Sequence, residues 1–521
     1  MSAKAGRIAW IAATALLIAA LTALVFVVRA GDPGGSNWPI GWELRSSDNG
    51  VLFQFAQDVF AGRNLDWSFS PQVFVFPEIP ISLVAYVLAG ASVQVYYVVV
   101  GAINNALLFV GLFAVIRYLF ATQSFGMRLA RSGLAMFPLL LLPLIGTTWL
   151  FSYHLAPTYY FGMYLMILVA PTMLLTRRRW VRVAVGVGLA LTGASNPLAF
   201  VFVVPAFAIV LAVRGFSSGW RCVWRPAAWA GGVVLLALVI RLVLFSRLQG
   251  GSPLAYIDTT IFAGRVSTVQ AYFGGLWGDP TTAVILMLGA VAAVAGLVVV
   301  IVVAARAIRR HTASAGALTT VYFGLVPLGG LAATAALLIT DYLYFWPVLI
   351  APLVFALVPL PRVAVRWGIP VTAAVLVAAF FATGGVTNVA AASGYFEYRS
   401  PETRCLDSKL PPGLTVGYST FSDARRLELT SSRHIRLIQL KSSAVRAYWL
   451  TNRDYARDSV GRFFYINEHG DEPAIDTTYL ERKFGMPDRQ FTCAPGETVL
   501  IYDDPAKLAN IKARYATLPA P

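Results

Sequence analysis

Charge is scarce in this chain. Asp, Glu, Lys and Arg make up 13% of its 521 residues, about half the share of an ordinary soluble domain. With 58% hydrophobic residues and a mean hydropathy of +0.68, that deficit excludes a soluble globular protein. Internal repeats at spacings of about 20–50 residues are missing, as are low-complexity tracts. Cysteine is limited to three residues. Acidic residues are absent from every second loop between the apolar runs.

What the chain has instead is a succession of apolar runs, each of about twenty residues and able to cross a bilayer core of roughly 30 Å. Eleven are recognisable, near 8–28, 93–116, 132–148, 158–176, 180–194, 197–213, 227–245, 281–305, 317–338, 343–360 and 367–386. The first is too long for a secretory signal and lacks a small-residue cleavage pattern, so it reads as a retained helix. The expected fold is an all-α polytopic membrane protein of about eleven transmembrane helices with a small C-terminal α/β domain. Residues 1–386 form the transmembrane part and 387–521 the soluble part.

The net charge of +16 is distributed by topology. The N-terminus and alternate loops hold Lys4, Arg7, Arg117, Arg128, Arg131, Arg177, Arg178, Arg179, Arg182, Arg214, Arg221, Arg225, Arg306, Arg309, Arg310, Arg362 and Arg366, with no acid among them. The opposite loops hold Arg29, Arg45, Arg63, Arg247 and Arg265 against nine acids between Asp32 and Asp341. Lys/Arg bias of this kind marks the cytoplasmic side. The N-terminus is therefore expected inside and, after eleven spans, the C-terminus outside. The basic excess is not a nucleic-acid footprint, and the bilayer is the expected partner. High Ala, Val, Gly and Arg content suits a bacterium with a GC-rich genome, hence a bacterial inner (cytoplasmic) membrane.

After about residue 387 the charge density rises to that of a soluble domain. Short β-like runs at 414–418, 434–440, 462–466 and 498–502 alternate with helix-like stretches at 422–429 and 477–484, the pattern of a small α/β layer. The tail holds no glycine-rich phosphate motif, zinc spacing or Ser-His-Asp signature. Cys405 and Cys493 both fall in it, on the side where disulfides persist, and are expected to pair. Cys222 lies in a cytoplasmic loop as a free thiol.

The residues that could carry chemistry concentrate in the first outer loop, about 29–79. Val51, Leu52, Phe55, Val59 and Phe60 recur at helical spacing, predicting an amphipathic helix over 49–61 on the membrane surface. Asp48 stands at its N-terminus, where a carboxylate accepts backbone N–H groups and suits the helix dipole. The same cap would hold the carboxylate rigidly for proton abstraction.

A first transmembrane helix, an outer loop with an acid before a surface helix, then Gly-Arg, an aromatic and proline-rich loop and a short returning helix together resemble the GT-C glycosyltransferase superfamily. The matching residues are Asp48-Asn49-Gly50, Gly62-Arg63 and Phe76-Pro77-Glu78-Ile79-Pro80. The resemblance implies a multi-spanning enzyme that takes a sugar from a polyprenyl-phosphate carrier on the non-cytoplasmic face and passes it to a glycolipid, polysaccharide or protein acceptor. It assigns Asp48 as general base. Many members show paired acids here, whereas this chain has Asn49 after Asp48, which weakens the case for a divalent cation (Mg²⁺ or Mn²⁺).

Other candidates follow from position. Asp58 and Asp66 are alternative outer-loop acids; Asp58, seven residues beyond Val51 and near the apolar face, either points inward or takes a solvated helix position, which is the expected one. Glu78 lies among apolar residues, facing a cavity or a metal, or pairing with Arg63. Arg241, a few residues inside the outer end of its span, and Arg265, in the loop with Tyr256, are candidate phosphate clamps because a guanidinium donates bidentately. His154 lies in a short aromatic outer loop as a phosphate, metal or proton-transfer candidate, or as an interfacial histidine of an aromatic belt, and Asn196 and Asp341 mark the same interface. Two other readings compete: a transporter or flippase for a lipid-linked or small solute, and a catalytically inactive GT-C-like scaffold. Charges at the outer rim and the missing repeat favour interfacial chemistry over passage.

Overall fold

The computed structural model describes residues 3–30, 47–70, 72–90, 92–145, 149–158, 160–248, 271, 274–275, 277–337, 351–440, 450–456, 462–467, 478, 481–482, 485–495 and 497–509. Among the described residues the apolar runs become helix, because backbone groups in lipid must be satisfied within the segment. In chain order these are α1 (Ala3–Ala30), the loop helix α2 (Ser47–Phe60), a two-residue strand β1 (Trp67–Ser68), α3 (Glu78–Ala89) and α4 (Val93–Leu119). Then come α5 (Phe125–Ala135), α6 (Phe137–Ile145), α7 (Phe161–Leu175), α8 (Arg179–Ser195), α9 (Leu198–Ser218) and α10 (Trp224–Ile240). The bundle continues with α11 (Pro280–Arg309), α12 (Ala315–Leu337), α13 (Ala351–Ala356) and α14 (Arg362–Ala382). Seven helical stretches among the described residues are long and apolar enough to cross a membrane, and the chain is a polytopic membrane protein.

Boundaries depart from expectation for local reasons. The run expected at 132–148 starts earlier, at Phe125, on the amphipathic segment FGMRLARSGLA, and is interrupted at Met136 before α6. The run near 158–176 becomes helical only at Phe161, after Tyr160 adopts a left-handed conformation. α8 has 17 residues, about 25 Å at 1.5 Å per residue. The last turn of the α10 span widens into a π-helix over Arg241–Phe245. Most of the run near 343–360 lies outside the described residues, leaving α13.

The two ends of the bundle differ in charge. At one end Arg128 lies near Arg117 and Arg7, and the buried Arg131 donates to the Val358 carbonyl at 2.6 Å and covers the Phe120 ring. Exposed Trp180, Trp220, Trp224 and Trp367 lie beside these arginine-bearing turns, as aromatic belts do at a membrane interface. The first loop and the C-terminal residues gather at the other end.

There the chain builds a five-stranded sheet in the order β3-β2-β5-β7-β6, from β2 (Val416–Ser419), β3 (Arg436–Gln439), β5 (Phe463–Asn467), β6 (Arg489–Ala494) and β7 (Glu497–Tyr502). A separate strand, β4 (Thr451–Asn452), pairs with β1 instead. The sheet is parallel at β3-β2-β5 and antiparallel at β5-β7-β6. Helices α15 (Pro401–Lys409) and α16 (Phe421–Thr430) supply Leu406, Ala424 and Leu427 to one face. Tyr418, Phe463, Tyr465 and Tyr502 pack together on the other. Alternate residues of β5 and β7 enter each cluster, the period-two rule of a strand buried on both sides. Cys405 and Cys493 form the expected disulfide across 88 residues. The edge strand β6, largely exposed and polar, was not foreseen, and the helix expected at 477–484 lies mostly outside the described residues.

Candidate functional site

Helix α2 organises the loop, and not in the way its spacing predicted. An interfacial helix would bury one face in lipid. Here Asn49, Val51, Leu52, Phe53, Gln54, Ala56 and Asp58 are all 2% exposed or less, so α2 is enclosed by protein on nearly every side. Gly50 makes this possible: a Cβ there would enter the Leu429 side chain of α16. Asp48 lies in the first turn of α2 and is partly exposed, in contrast to its neighbours. Asn49 is fully buried, and its Oδ1 accepts from the Thr158 hydroxyl at 3.1 Å.

At the far end of α2 the Asp58 carboxylate is completely buried. Oδ1 accepts from Arg63 at 2.9 Å and from the Tyr455 hydroxyl at 2.6 Å. Oδ2 accepts from the Trp67 indole at 3.0 Å and the Asn452 amide at 2.8 Å. Four donors occupy the roughly four lone-pair sites of a carboxylate, leaving nothing for a substrate hydroxyl. The solvated helix position expected for Asp58 gives way to a junction between the loop and the C-terminal region. Asp66 serves the same junction: it pairs with Arg453 at 3.2 Å, and its carbonyl accepts the Arg453 N–H at 2.7 Å.

The partner offered for Glu78 was Arg63, but Arg63 is taken by Asp58. Glu78 opens α3, whose 12 residues are too short to cross a membrane. It is buried, and its Oε1 accepts the Gly162 N–H at 2.8 Å, at the start of α7. Burial pushes its carboxyl up to about 7, against the lowering effect of that bond. A side chain at Gly162 would collide with the Pro77 ring and lie 2.8 Å from Glu78 Oε1.

His154 is fully buried, and its Nε2–H donates to the Leu139 carbonyl at 3.0 Å. Burial lowers its pKa to about 4, so the ring is neutral near pH 7, a role in packing α6 against the loop rather than in binding phosphate. Arg241 is half-buried and donates to the Ala194 carbonyl at 2.8 Å, one of the carbonyls a helix C-terminus leaves without an intrahelical partner. Asn196 accepts the Leu198 N–H at 3.1 Å. Arg265, Tyr256 and Asp341 lie outside the described residues.

The loop is stitched to one end of the bundle. Val73 and Phe76 donate their N–H groups to the Ser195 carbonyl and hydroxyl, at 3.0 and 3.1 Å. Phe69 N–H reaches the Leu248 carbonyl at 2.7 Å. Glu78 meets the start of α7, Arg241 the end of α8, and Asn49, next to Asp48, meets Thr158 just before α7. An apolar groove of about 390 Å³ runs between α8, α9 and α10, lined by Leu189, Phe200, Val203, Phe207, Val234 and Leu238 among others. Leu238 is three residues, one helical turn, before Arg241. No three His, Cys, Asp or Glu side chains gather as a metal-ligand cluster among the described residues.

No family model and no curated protein matches this chain. Among solved structures it is similar to ArnT from Cupriavidus metallidurans bound to undecaprenyl phosphate, with 14% identity, a TM-score of 0.43, and 95% of this chain and 98% of that one covered. It is also similar to the Archaeoglobus fulgidus oligosaccharyltransferase in complex with Zn and sulfate, with 15% identity, a TM-score of 0.39, and 86% and 67% covered.

Proposed function

We propose that this chain is a membrane glycosyltransferase of the GT-C type that moves a sugar from a polyprenyl-phosphate carrier to an acceptor hydroxyl on the outer face. One observation carries the reading: Asp48 is the partly exposed acid of a helix whose other acid, Asp58, is buried, and which is anchored at both ends. A general base needs such a fixed, accessible carboxylate.

In this reading Asp48 takes the acceptor hydroxyl proton as its oxygen attacks the anomeric carbon. The bond from that carbon to the phosphate oxygen breaks, and its electron pair leaves with the lipid phosphate. Arg241, which donates to the Ala194 carbonyl at the end of α8, balances the charge that develops there, as a guanidinium suits a phosphate. The apolar groove one turn below Arg241 suits a prenyl tail. The C-terminal domain of residues 387–521 lies outside the cytoplasm, and Glu78 ties the loop to the start of α7 through Gly162. Asn49 leaves Asp48 without a neighbouring acid.

The test is transfer by purified protein in liposomes, using radiolabelled polyprenyl-phosphate sugars and a crude glycan or lipid acceptor fraction. Label should move to the acceptor. Movement of intact labelled lipid between leaflets without transfer would instead identify a flippase.

A further inference from the structure

Asp58, near the C-terminal end of α2, accepts four side-chain hydrogen bonds. Two of its four donors, Trp67 and Arg63, belong to the loop, and two, Asn452 and Tyr455, come from beyond the membrane helices. The same junction pairs β1 with β4, placing Trp67 opposite Asn452 and Ser68 opposite Thr451. The Arg436 guanidinium lies 4.3 Å from the Tyr455 ring, which orients the phenol. Arg425, fully buried in α16, holds Glu428 at 3.0 Å and the Thr451 hydroxyl at 2.6 Å. At the other end of α2, Gly50 sits against Leu429 of the same α16, two residues from Asp48.

The geometry points to a positioning role for the C-terminal region: it clamps α2 at Gly50–Leu429 and at Asp58–Asn452–Tyr455, and so sets where Asp48 stands. Asp48 and Asp58 are ten residues apart on one helix, about 15 Å along its axis, and a helix held at both ends has neither its register nor its tilt free. Asp58 is thus a positioning residue, with Tyr455 and Asn452 acting through it. This inference rests on the glycosyltransferase reading for its catalytic consequence, but the clamp itself has an independent readout.

The experiment combines hydrogen exchange over residues 51–60 with transfer kinetics in the full-length protein, for Tyr455→Phe, Asn452→Ala and the double variant. The expected result is exchange over 51–60 at least about tenfold faster in the double variant, with β5 and β7 as protected as before. Transfer kcat should fall about tenfold while the donor KM stays within about twofold. A second arm needs no lost hydrogen bond: Gly50→Ala should lower kcat, and adding Leu429→Ala, which makes room for the new methyl, should restore it. Unchanged exchange over 51–60 in the double variant, or a failure of Leu429→Ala to rescue Gly50→Ala in active protein, overturns the clamp. Faster exchange in a protein that transfers no polyprenyl-phosphate sugar even as wild type keeps the clamp and removes the glycosyltransferase reading.

Discussion

Tyr455 and Asp58, 397 residues apart in the chain, share a 2.6 Å hydrogen bond in which the phenol donates to Oδ1. Burial, with Glu428 and Asp58 nearby, raises the phenol above its ordinary pKa and keeps it a donor. Hydrogen bonds to charged groups contribute about 1.5–3 kcal/mol. Tyr455→Phe should therefore lower stability by about that amount, read as a fall in thermal midpoint in detergent. Asp58→Ala leaves the buried Trp67, Asn452 and Tyr455 donors and the half-exposed Arg63 without this acceptor and should cost more than Tyr455→Phe.

Gly162 donates its N–H to Glu78 where a Cβ has no space. Overpacking of this kind costs about 1–3 kcal/mol. Gly162→Ala should show reduced yield and a lower melting temperature, whereas Glu78→Gln, which keeps the acceptor oxygen, should melt close to wild type at pH 7.

The disulfide closes a long loop, 88 residues between Cys405 and Cys493. In the chain-entropy account such a cross-link contributes about 4–5 kcal/mol. Reduction, or Cys405→Ser with Cys493→Ser, should lower the thermal midpoint of the C-terminal region and leave the helical signal of the bundle in place. Cys222 is exposed and free. A membrane-impermeant maleimide should label it in inverted vesicles and not in spheroplasts, which checks the orientation directly.

Glu497 is fully buried in β7. Burial pushes its carboxyl up to about 7, with Arg426 opposing and Glu402 and Asp423 adding to the rise. Because the folded value exceeds the ordinary carboxylate value, the folded state binds the proton more tightly. Its contribution is full below about pH 4.5 and is lost as pH rises through about 7. Melting temperatures of the wild type should show this decline, and Glu497→Gln should flatten it.

Much of the fold was legible because lipid allows few solutions: apolar runs become helices, and arginine placement orders the loops. Four of the five strands of the C-terminal sheet announced themselves as β-branched or aromatic runs. The strand Arg489–Ala494 did not, since an exposed edge strand carries polar residues that read as loop. The site was less legible. The apolar spacing places Asp48 at the start of α2, but the fate of Asp58 depends on Asn452 and Tyr455, and no local pattern links residues so distant. The same holds for His154, whose partner Leu139 carbonyl belongs to the preceding helix, and for Arg241, which meets a helix end 47 residues away. Periodicity showed that α2 has an apolar face and was silent on what covers the polar one.

The most direct measurement is the rate of sugar transfer from a radiolabelled polyprenyl-phosphate donor by wild type and Asp48→Asn in the same liposomes. A positioned base contributes about 10²–10⁴-fold, so Asp48→Asn should lose at least a hundredfold in kcat, with unchanged melting temperature and donor KM. Transfer by Asp48→Asn at the wild-type rate would contradict the account.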